Sequence, residues 1–407
     1  MCRRTLPILL CLAMLPLLPG CWSRVEVNDL SIVTGVALDK MEDGKIRLTL
    51  QIAVPTMLGP VVGGGGGGGG KRPSVTVSAK GDTVMDAFRM LQAKLPRKLF
   101  FSHSRVILIG EQLARGGVAP VLDFFSRYRE SRLRSFIMFT KGEAASILHI
   151  PPKWERILAE EIREEQKSHT GMSTFLMDFI DMLLSDGVEP IAALVEPMDS
   201  EVRKKSDSES GEGSSQSEKS VDITGAALFR KDKLIGWMND KDTRGALRFR
   251  NELKHSVVTV SIPKDMGGGK VSVKLLKGNT TLQPILRNGR LTMHVKVHTE
   301  EMLNENSSKL DFSKPEAIQY VQKLLEEDVK KRMEAVLEKT QKRYKSDVLG
   351  FGAAVYRTYP KAWRTTYKDR WETLFPELAT TITVHVRVVR TGLTNKSTTW
   401  EDKEFIK

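Results

Sequence analysis

Apolar positions in the first third of the chain alternate with polar ones or run unbroken over strand-length segments. Residues 31–38 and 46–54 read this way, joined by a stretch that contains Asp43-Gly44, and residues 74–78 repeat the pattern. A period of two places apolar side chains on one face of a pleated strand, and Asp-Gly fits a tight hairpin turn, so the first two segments predict a hairpin. The period then lengthens. Val84, Ala87, Phe88, Leu91 and Leu95 recur at three and four residues, which predicts a helix with Asp82 as its cap. Residues 105–110 and 134–139 read as buried strands. Residues 111–130 are helical with an interruption near Gly116-Gly117, and 154–185 are helical with a break near Gly171. Strands alternating with helices predict an α+β or α/β domain over 22–197.

The second half starts with strand patterns at 222–229 and 234–237 around the turn Lys231-Asp232-Lys233. Residues 257–262, 271–276, 291–297 and 381–389 alternate or run apolar at strand length. Between them, Ser313 and Pro315 open a long helix whose Ile318, Val321, Leu325, Val329, Met333 and Val336 form one stripe. Glu326 and Glu327 stand four residues before Lys330 and Lys331, the spacing of ion pairs on a solvated face. The fold class is therefore α+β: a multi-domain chain of mixed sheets with packed helices and one long helix in its C-terminal part. The C-terminal region is 222–407, divided into a smaller middle part, 222–265, and a C-terminal domain, 266–407.

Two segments lack a core-forming pattern. Residues 63–70 are eight consecutive glycines, a flexible loop between strands. A phosphate loop is excluded there, because Lys71 is followed by Arg72 and Pro73 and no helix can begin. Residues 199–220 hold eight serines, many charges and one apolar residue, Val202. They cannot bury enough apolar area to offset chain ordering, and 198–221 is read as a disordered linker.

The N-terminus sets the compartment. Arg3 and Arg4 precede an apolar run from Leu6 to Leu18 that is short for a membrane span, which describes a secretory signal over residues 1–20. The run ends in Leu18-Pro19-Gly20-Cys21, which resembles a bacterial lipobox. The three cysteines are Cys2, Cys11 and Cys21, so only Cys21 survives signal removal and no internal disulfide is available. Lipidation of Cys21 would anchor the mature chain to a membrane. No later stretch approaches the ~20 apolar residues of a span. The formal charge of +13, which falls to +11 once Arg3 and Arg4 are removed, suits an anionic membrane surface. No nucleic-acid partner is expected.

Candidate chemistry is sparse. None of the seven histidines forms a metal-binding motif. His294 and His298 share a strand face about 13 Å apart, too far to hold one metal. There is no nucleophile elbow. The acids Glu160, Glu161, Glu164 and Glu165 read as a solvated helix face. Tyr356, Tyr359, Trp363, Tyr367 and Trp371 crowd behind Gly350-Phe351-Gly352. A base-stacking or sugar-stacking platform is conceivable, but the spacing of Trp363, Tyr367 and Trp371 favours a core stripe. Gly350-Phe351-Gly352 and these aromatics are the candidates for a structural or partner surface. No catalytic residue, metal or cofactor is expected.

Several segments, in order along the chain, resemble one family. They are Cys21 to Leu30, which opens Cys21-Trp22-Ser23; residues 32–39, which end in Leu38-Asp39; residues 106–114; Gly225-Ala226-Ala227-Leu228-Phe229; Asp232 to Trp237; Thr243-Arg244-Gly245; Asp347-Val348-Leu349-Gly350-Phe351-Gly352; and Tyr359 to Trp363 with Trp371 to Phe375. The family is the Ger(x)C lipoproteins, the C subunits of endospore germinant receptors. Ser23 and the long glycine run depart from its pattern. The resemblance implies a three-part lipoprotein without enzymatic activity. It implies work beside integral-membrane A and B subunits, on the outer face of the inner spore membrane, in germination triggered by small nutrients. The alternative reading is a substrate-binding lipoprotein of a transporter, but the regular βα repetition of that class is missing.

Overall fold

The structure, a computed structural model, describes residues 26–55, 73–168, 171–199, 219–392, 394–401 and 405. The expected lipidation site Cys21, the glycine run and residues 200–218 of the expected linker lie outside the described residues.

The alternating segments of the first third are strands β1 (Leu30–Lys40), β2 (Ile46–Ala53) and β3 (Ser74–Gly81), all antiparallel neighbours. Helix α1 (Val84–Lys94) follows, and its cap is one residue later than expected: the Thr83 hydroxyl accepts the Asp86 N–H. The short strand β4 (Lys98–Phe100) lies beside the start of β1. Then come β5 (Val106–Gly110), α2 (Glu111–Gly116), α3 (Ala119–Arg127), β6 (Phe136–Thr140), α4 (Ala144–Leu148), α5 (Leu158–Lys167), α6 (Leu176–Leu184) and β7 (Ile191–Asp199). Strands β1, β5, β6 and β7 are parallel neighbours. Every residue of β5 and β6 is buried. Both faces of a parallel strand are covered, so its sequence is a continuous apolar run without alternation.

Strands β8 (Lys219–Arg230) and β9 (Lys233–Met238) complete a nine-stranded sheet in the order β3-β2-β1-β5-β6-β7-β8-β9, with β4 off the path. The sheet continues across the segment 198–221. Strand β7 before that segment and β8 after it are hydrogen-bonded neighbours, from Ile191 opposite Leu228 to Asp199 opposite Lys219. Loss of apolar pattern between two strands marks a long connection and does not show where a sheet ends. The expected middle part, 222–265, likewise divides: its first two strands join this sheet, and β10 (Val257–Ser261) joins another.

That second sheet has the order β10-β11-β12-β13, from β11 (Lys270–Arg287), β12 (Arg290–Asn306) and β13 (Thr380–Arg390). The hairpin of β11 and β12 turns on Asn288 and Gly289, both at positive φ as a tight hairpin turn needs. Its strands run far beyond the 271–276 and 291–297 expected, because residues 277–283 are mostly exposed and carry no apolar alternation to read.

Helix α7 (Asp240–Phe249) sits between the sheets, with Asn239 as its cap. The long helix α8 (Pro315–Glu338) buries the stripe Val321, Leu325, Val329, Met333 and Val336. Its solvated face differs from the expected one. Gln322 and Glu326 accept the N–H groups of Val388 (2.8 Å) and Val386 (3.0 Å) along the edge strand β13, and Lys330 pairs with Glu334. Helix α9 (Phe351–Thr358) and short turns lead back to β13. One hydrophobic cluster covers one face of the large sheet (Val106, Leu108, Ala226, Leu228) and continues through α7 and α8 to the second sheet. A separate cluster covers the opposite face (Ile107, Ile109, Ala227, Phe229) under α1, α3 and α6. Full burial of each such aliphatic or phenyl side chain contributes roughly 1.5–3 kcal/mol. Among the described residues no helix is long and apolar enough to cross a membrane.

Candidate functional site

Two buried aspartates organise the polar interior, and both lie in segments that carry the family resemblance. Asp39 stands at the carboxyl end of β1, where the parallel strands β1, β5 and β6 finish side by side. Open α/β sheets generally place ligand sites outside these strand ends. A cavity of about 390 Å³ opens there, lined by Asp39, Lys40, Lys80, Gly110 and Glu143 among others. The Asp39 carboxylate is already committed. It accepts the Ala144 N–H (2.6 Å) and the Ala145 N–H (3.0 Å) at the start of α4, and pairs with Arg47 (3.0 Å). Arg47 also pairs with Glu143 at 2.8 Å. Gly110 makes room for this arrangement, since a Cβ there would lie 2.3 Å from Asp39 Oδ1.

Asp347 forms the joint between the sheets. Its carboxylate accepts the N–H groups of Gly350 (2.9 Å), Phe351 (3.0 Å) and Gly352 (2.7 Å) at the start of α9, and the indole N–H of Trp371 (3.0 Å). Gly350 has φ +80°, a left-handed position that glycine adopts without strain. A Cβ on Gly352 would meet Gly187 Cα at 2.6 Å and Trp371 Nε1 at 2.7 Å, so only glycine allows this approach. The loop before β7 then locks on: Ala353 N–H donates to the Gly187 carbonyl, and Glu189 N–H to the Asp347 carbonyl. The chain just upstream grips β8 and β9. The Tyr344 hydroxyl donates to the Trp237 carbonyl (2.8 Å), the Ser346 hydroxyl to the Phe229 carbonyl (2.5 Å), and Arg230 to the Tyr344 carbonyl (2.5 Å). Gly236 is the seat for Tyr344, whose ring would be 2.4 Å from a Cβ there.

The joint carries unusual protonation. Burial pushes the Asp347 carboxyl up to about 6, against the pull of its four N–H donors. Burial pushes Glu189 up to about 7; the Lys231 N–H opposes this, while the charges of Asp347 and Glu372 add to it.

The residues singled out in the sequence fall as follows. Phe351, Trp363, Tyr367 and Trp371 are buried in the core and joint, while Tyr356 and Tyr359 are partly exposed. Glu161 is not solvated. It is 8% exposed, and its carboxylate accepts the N–H groups of Lys153 (2.7 Å), Trp154 (2.8 Å) and Glu155 (3.3 Å), a loop that folds back over it. Glu160 pairs with Arg105. His294 bonds Thr383, and His298 stacks on His385 of the neighbouring strand. Among the described residues, no group of three or more His, Cys, Asp or Glu is placed to hold a metal. Asp39 and Glu189 were not legible as site residues. The residues they meet are remote in sequence: α4 begins 105 residues after Asp39. Asp347 carried a readable signal, an aspartate three residues before a glycine-led helix.

The Spore germination protein N-terminal domain model matches residues 23–197, and the Spore germination B3/ GerAC like, C-terminal model matches residues 224–392. A putative spore germination protein of Bacillus subtilis, YfkR, is 31% identical over 96% of this chain and 97% of its own. The chain belongs to the Ger(x)C family of spore germination proteins. Another Ger(x)C relative, spore germination protein KC of Bacillus subtilis, is 29% identical over 97% of this chain and 98% of its own. The crystal structure of the GerBC protein superposes with a TM-score of 0.52 at 20% identity, covering 87% of this chain and 97% of that one, which establishes the shared α+β fold. Both Asp39 and the Asp347–Gly352 joint lie within the segments that the Ger(x)C models match.

Proposed function

We propose that this chain is the lipid-anchored C subunit of a nutrient germinant receptor and works by contact with integral-membrane A and B subunits. The observation that carries the reading is the pair of spore-germination matches over 23–197 and 224–392, which start two residues after Cys21. A lipid on Cys21 would place the folded part on the outer face of the inner spore membrane. Two or more acyl chains give durable attachment, whereas one is marginal. Confinement beside membrane partners raises effective concentration, so weak contacts stay occupied. The interior supports a contact role over catalysis: the two aspartates described above are spent on helix starts and the joint between the sheets.

The test is germination of spores that lack this chain, complemented in turn by the wild type, by Cys21→Ala and by a version secreted without the lipid site. The deletion is expected to abolish the response to one set of nutrients and leave others intact. Cys21→Ala is expected to lose fatty-acid label and fail to complement. Full rescue by the lipid-free version at native expression would refute the anchoring part of the proposal. A deletion that leaves every nutrient response unchanged would refute the receptor role.

A further inference from the structure

A cavity of about 320 Å³ lies between α7, α8 and β10, away from both buried aspartates. Its lining includes four cations, Lys241, Arg244, Arg248 and Arg332, against one carboxylate, Asp240. Two of the cations are matched within their own helices: Arg244 pairs with Asp240 at 2.7 Å, and Arg332 with Asp328 at 2.5 Å. Arg248 is different. It is 8% exposed, and among the described residues its guanidinium makes no hydrogen bond and no ion pair. Glu301 lies behind it, 2% exposed and outside ion-pair distance, and its Oε2 also lacks a partner. Burial lowers the Arg248 pKa; Glu301 and Asp328 oppose that, and Arg332 adds to it. A second, small void touches the far side of Arg248 beside Asn251, Thr280 and Thr299.

A guanidinium presents five N–H donors in a planar fork, and none of the Arg248 nitrogens is sealed from solvent, so its unpaired donors stay open to a ligand. The complementary partner is an oxyanion that accepts two parallel bonds, a carboxylate or a phosphate. Arg244, Arg332 and Lys241 would add attraction from the rim. The rest of the wall is mainly apolar, with Leu253, Val258, Val329 and Met333 beside Ser256. A volume of this size suits a small molecule.

We propose that this cavity is a binding site for a small organic oxyanion, a carboxylate or phosphate with a short apolar portion, seated on Arg248. The proposal stands apart from the receptor reading and needs neither lipid nor partner subunit.

The experiment is isothermal titration calorimetry of the full chain in detergent, at fixed ionic strength, with inorganic phosphate and with butyrate as probes. Saturable one-to-one binding is expected. Arg248→Met should weaken it by about tenfold or more, equivalent to ~1.4 kcal/mol, and Arg248→Lys should give a smaller loss because charge remains without the fork. Arg248→Met leaves Glu301 buried and uncompensated and could unfold. Arg244→Gln, at the exposed rim, therefore serves as the second variant, with a loss of about threefold expected. Vesicles of phosphatidylglycerol form a further arm. Displacement of phosphate by vesicles, lost in the same variants, makes a lipid headgroup the source of the anion; phosphate binding undisturbed by vesicles makes it a free small anion. No saturable binding up to about 10 mM of either probe would overturn the proposal, since that limit corresponds to an interaction weaker than ~3 kcal/mol. Binding unchanged by Arg244→Gln and by whichever Arg248 variants fold would overturn it too.

Discussion

Asp39 and Asp347 do the same local work under different charge. Each buries a carboxylate against backbone N–H groups at the start of a helix, where the helix dipole favours negative charge. Asp39 also has a cation, Arg47, at 3.0 Å. Asp347 has four neutral donors and, among the described residues, no cation within ion-pair distance. Its charge is balanced by dipoles alone, in full burial, and that charge makes ionisation of the neighbouring Glu189 harder. The strand ends of the large sheet are thus held by a matched ion pair, and the joint between the sheets by groups whose charge costs free energy. Both acids at the joint are thus held back from ionising near neutral pH.

The largest expected effect comes from replacing one oxygen in the joint. Asp347→Asn keeps the shape but turns a carboxylate oxygen into an NH₂ donor that faces other donors. At least one, and at most two, of the four N–H groups lose their acceptor, and each such loss costs about 1–3 kcal/mol. A destabilisation of about 3 kcal/mol is expected in urea unfolding. A cost below about 1 kcal/mol would show that the joint does not depend on the carboxylate.

Asp39→Asn should cost less, about 2 kcal/mol, because Arg47 keeps Glu143 as a partner. Here the comparison can be sharpened by a double-mutant cycle. Asp39→Asn and Arg47→Met should be coupled by about 1 kcal/mol or more, whereas Asp347→Asn and Arg47→Met should be additive. Coupling in the second pair would contradict the separation of the two regions.

The pH dependence sets the joint against Asp39 without a substitution. Asp347 and Glu189 hold their protons more tightly in the folded chain than in the unfolded one, with values of about 6 and about 7. A raised acid contributes stability that is complete below its unfolded pKa, near 4, and lost as pH rises through the folded value. Stability should therefore fall between pH 5 and pH 8, and Glu165 on α5, which burial pushes up to about 7, adds to the fall. The lowered acids Glu111, Glu164 and Asp311 act in the opposite sense but below pH 5, outside this window. Chemical unfolding at the two pH values checks the sign. Stability that rises from pH 5 to pH 8 would break the account of the joint.

What could be read from the chain follows the range of the interactions. The hairpin β1–β2, the buried strands β5 and β6 and the stripe of α8 were legible because their patterns are local, and Trp363, Tyr367 and Trp371 were legible as core from their spacing. The pairing of β7 with β8 was not, because a polar insertion between two strands looks the same as a boundary between two domains. Glu161 was misplaced onto a solvated face because its acceptor role depends on a loop bending back, which the helix period does not encode. Arg248 gave no signal: nothing local distinguishes it from Arg244, four residues earlier, which is half exposed and paired.

The smallest effect expected is on the outer strand of the second sheet. Gln322→Ala with Glu326→Ala frees the N–H groups of Val388 and Val386, and water can replace part of what is lost, so about 1 kcal/mol is expected. The accompanying readout is self-association by analytical ultracentrifugation, which should appear in the double variant and be absent in the wild type.

That last pair has a meaning beyond stability. An unprotected strand is a template on which another strand can lay itself down, and then another. For a chain tethered as proposed, copies drift in two dimensions and collide far more often than they would in free solution. With β13 open, repeated collisions would zip neighbouring molecules into ribbons growing across the surface. Two side chains one helical turn apart, each accepting a bond a newcomer would need, make those encounters end without adhesion. In that sense α8 works as a spacer between neighbours as well as a wall of the core.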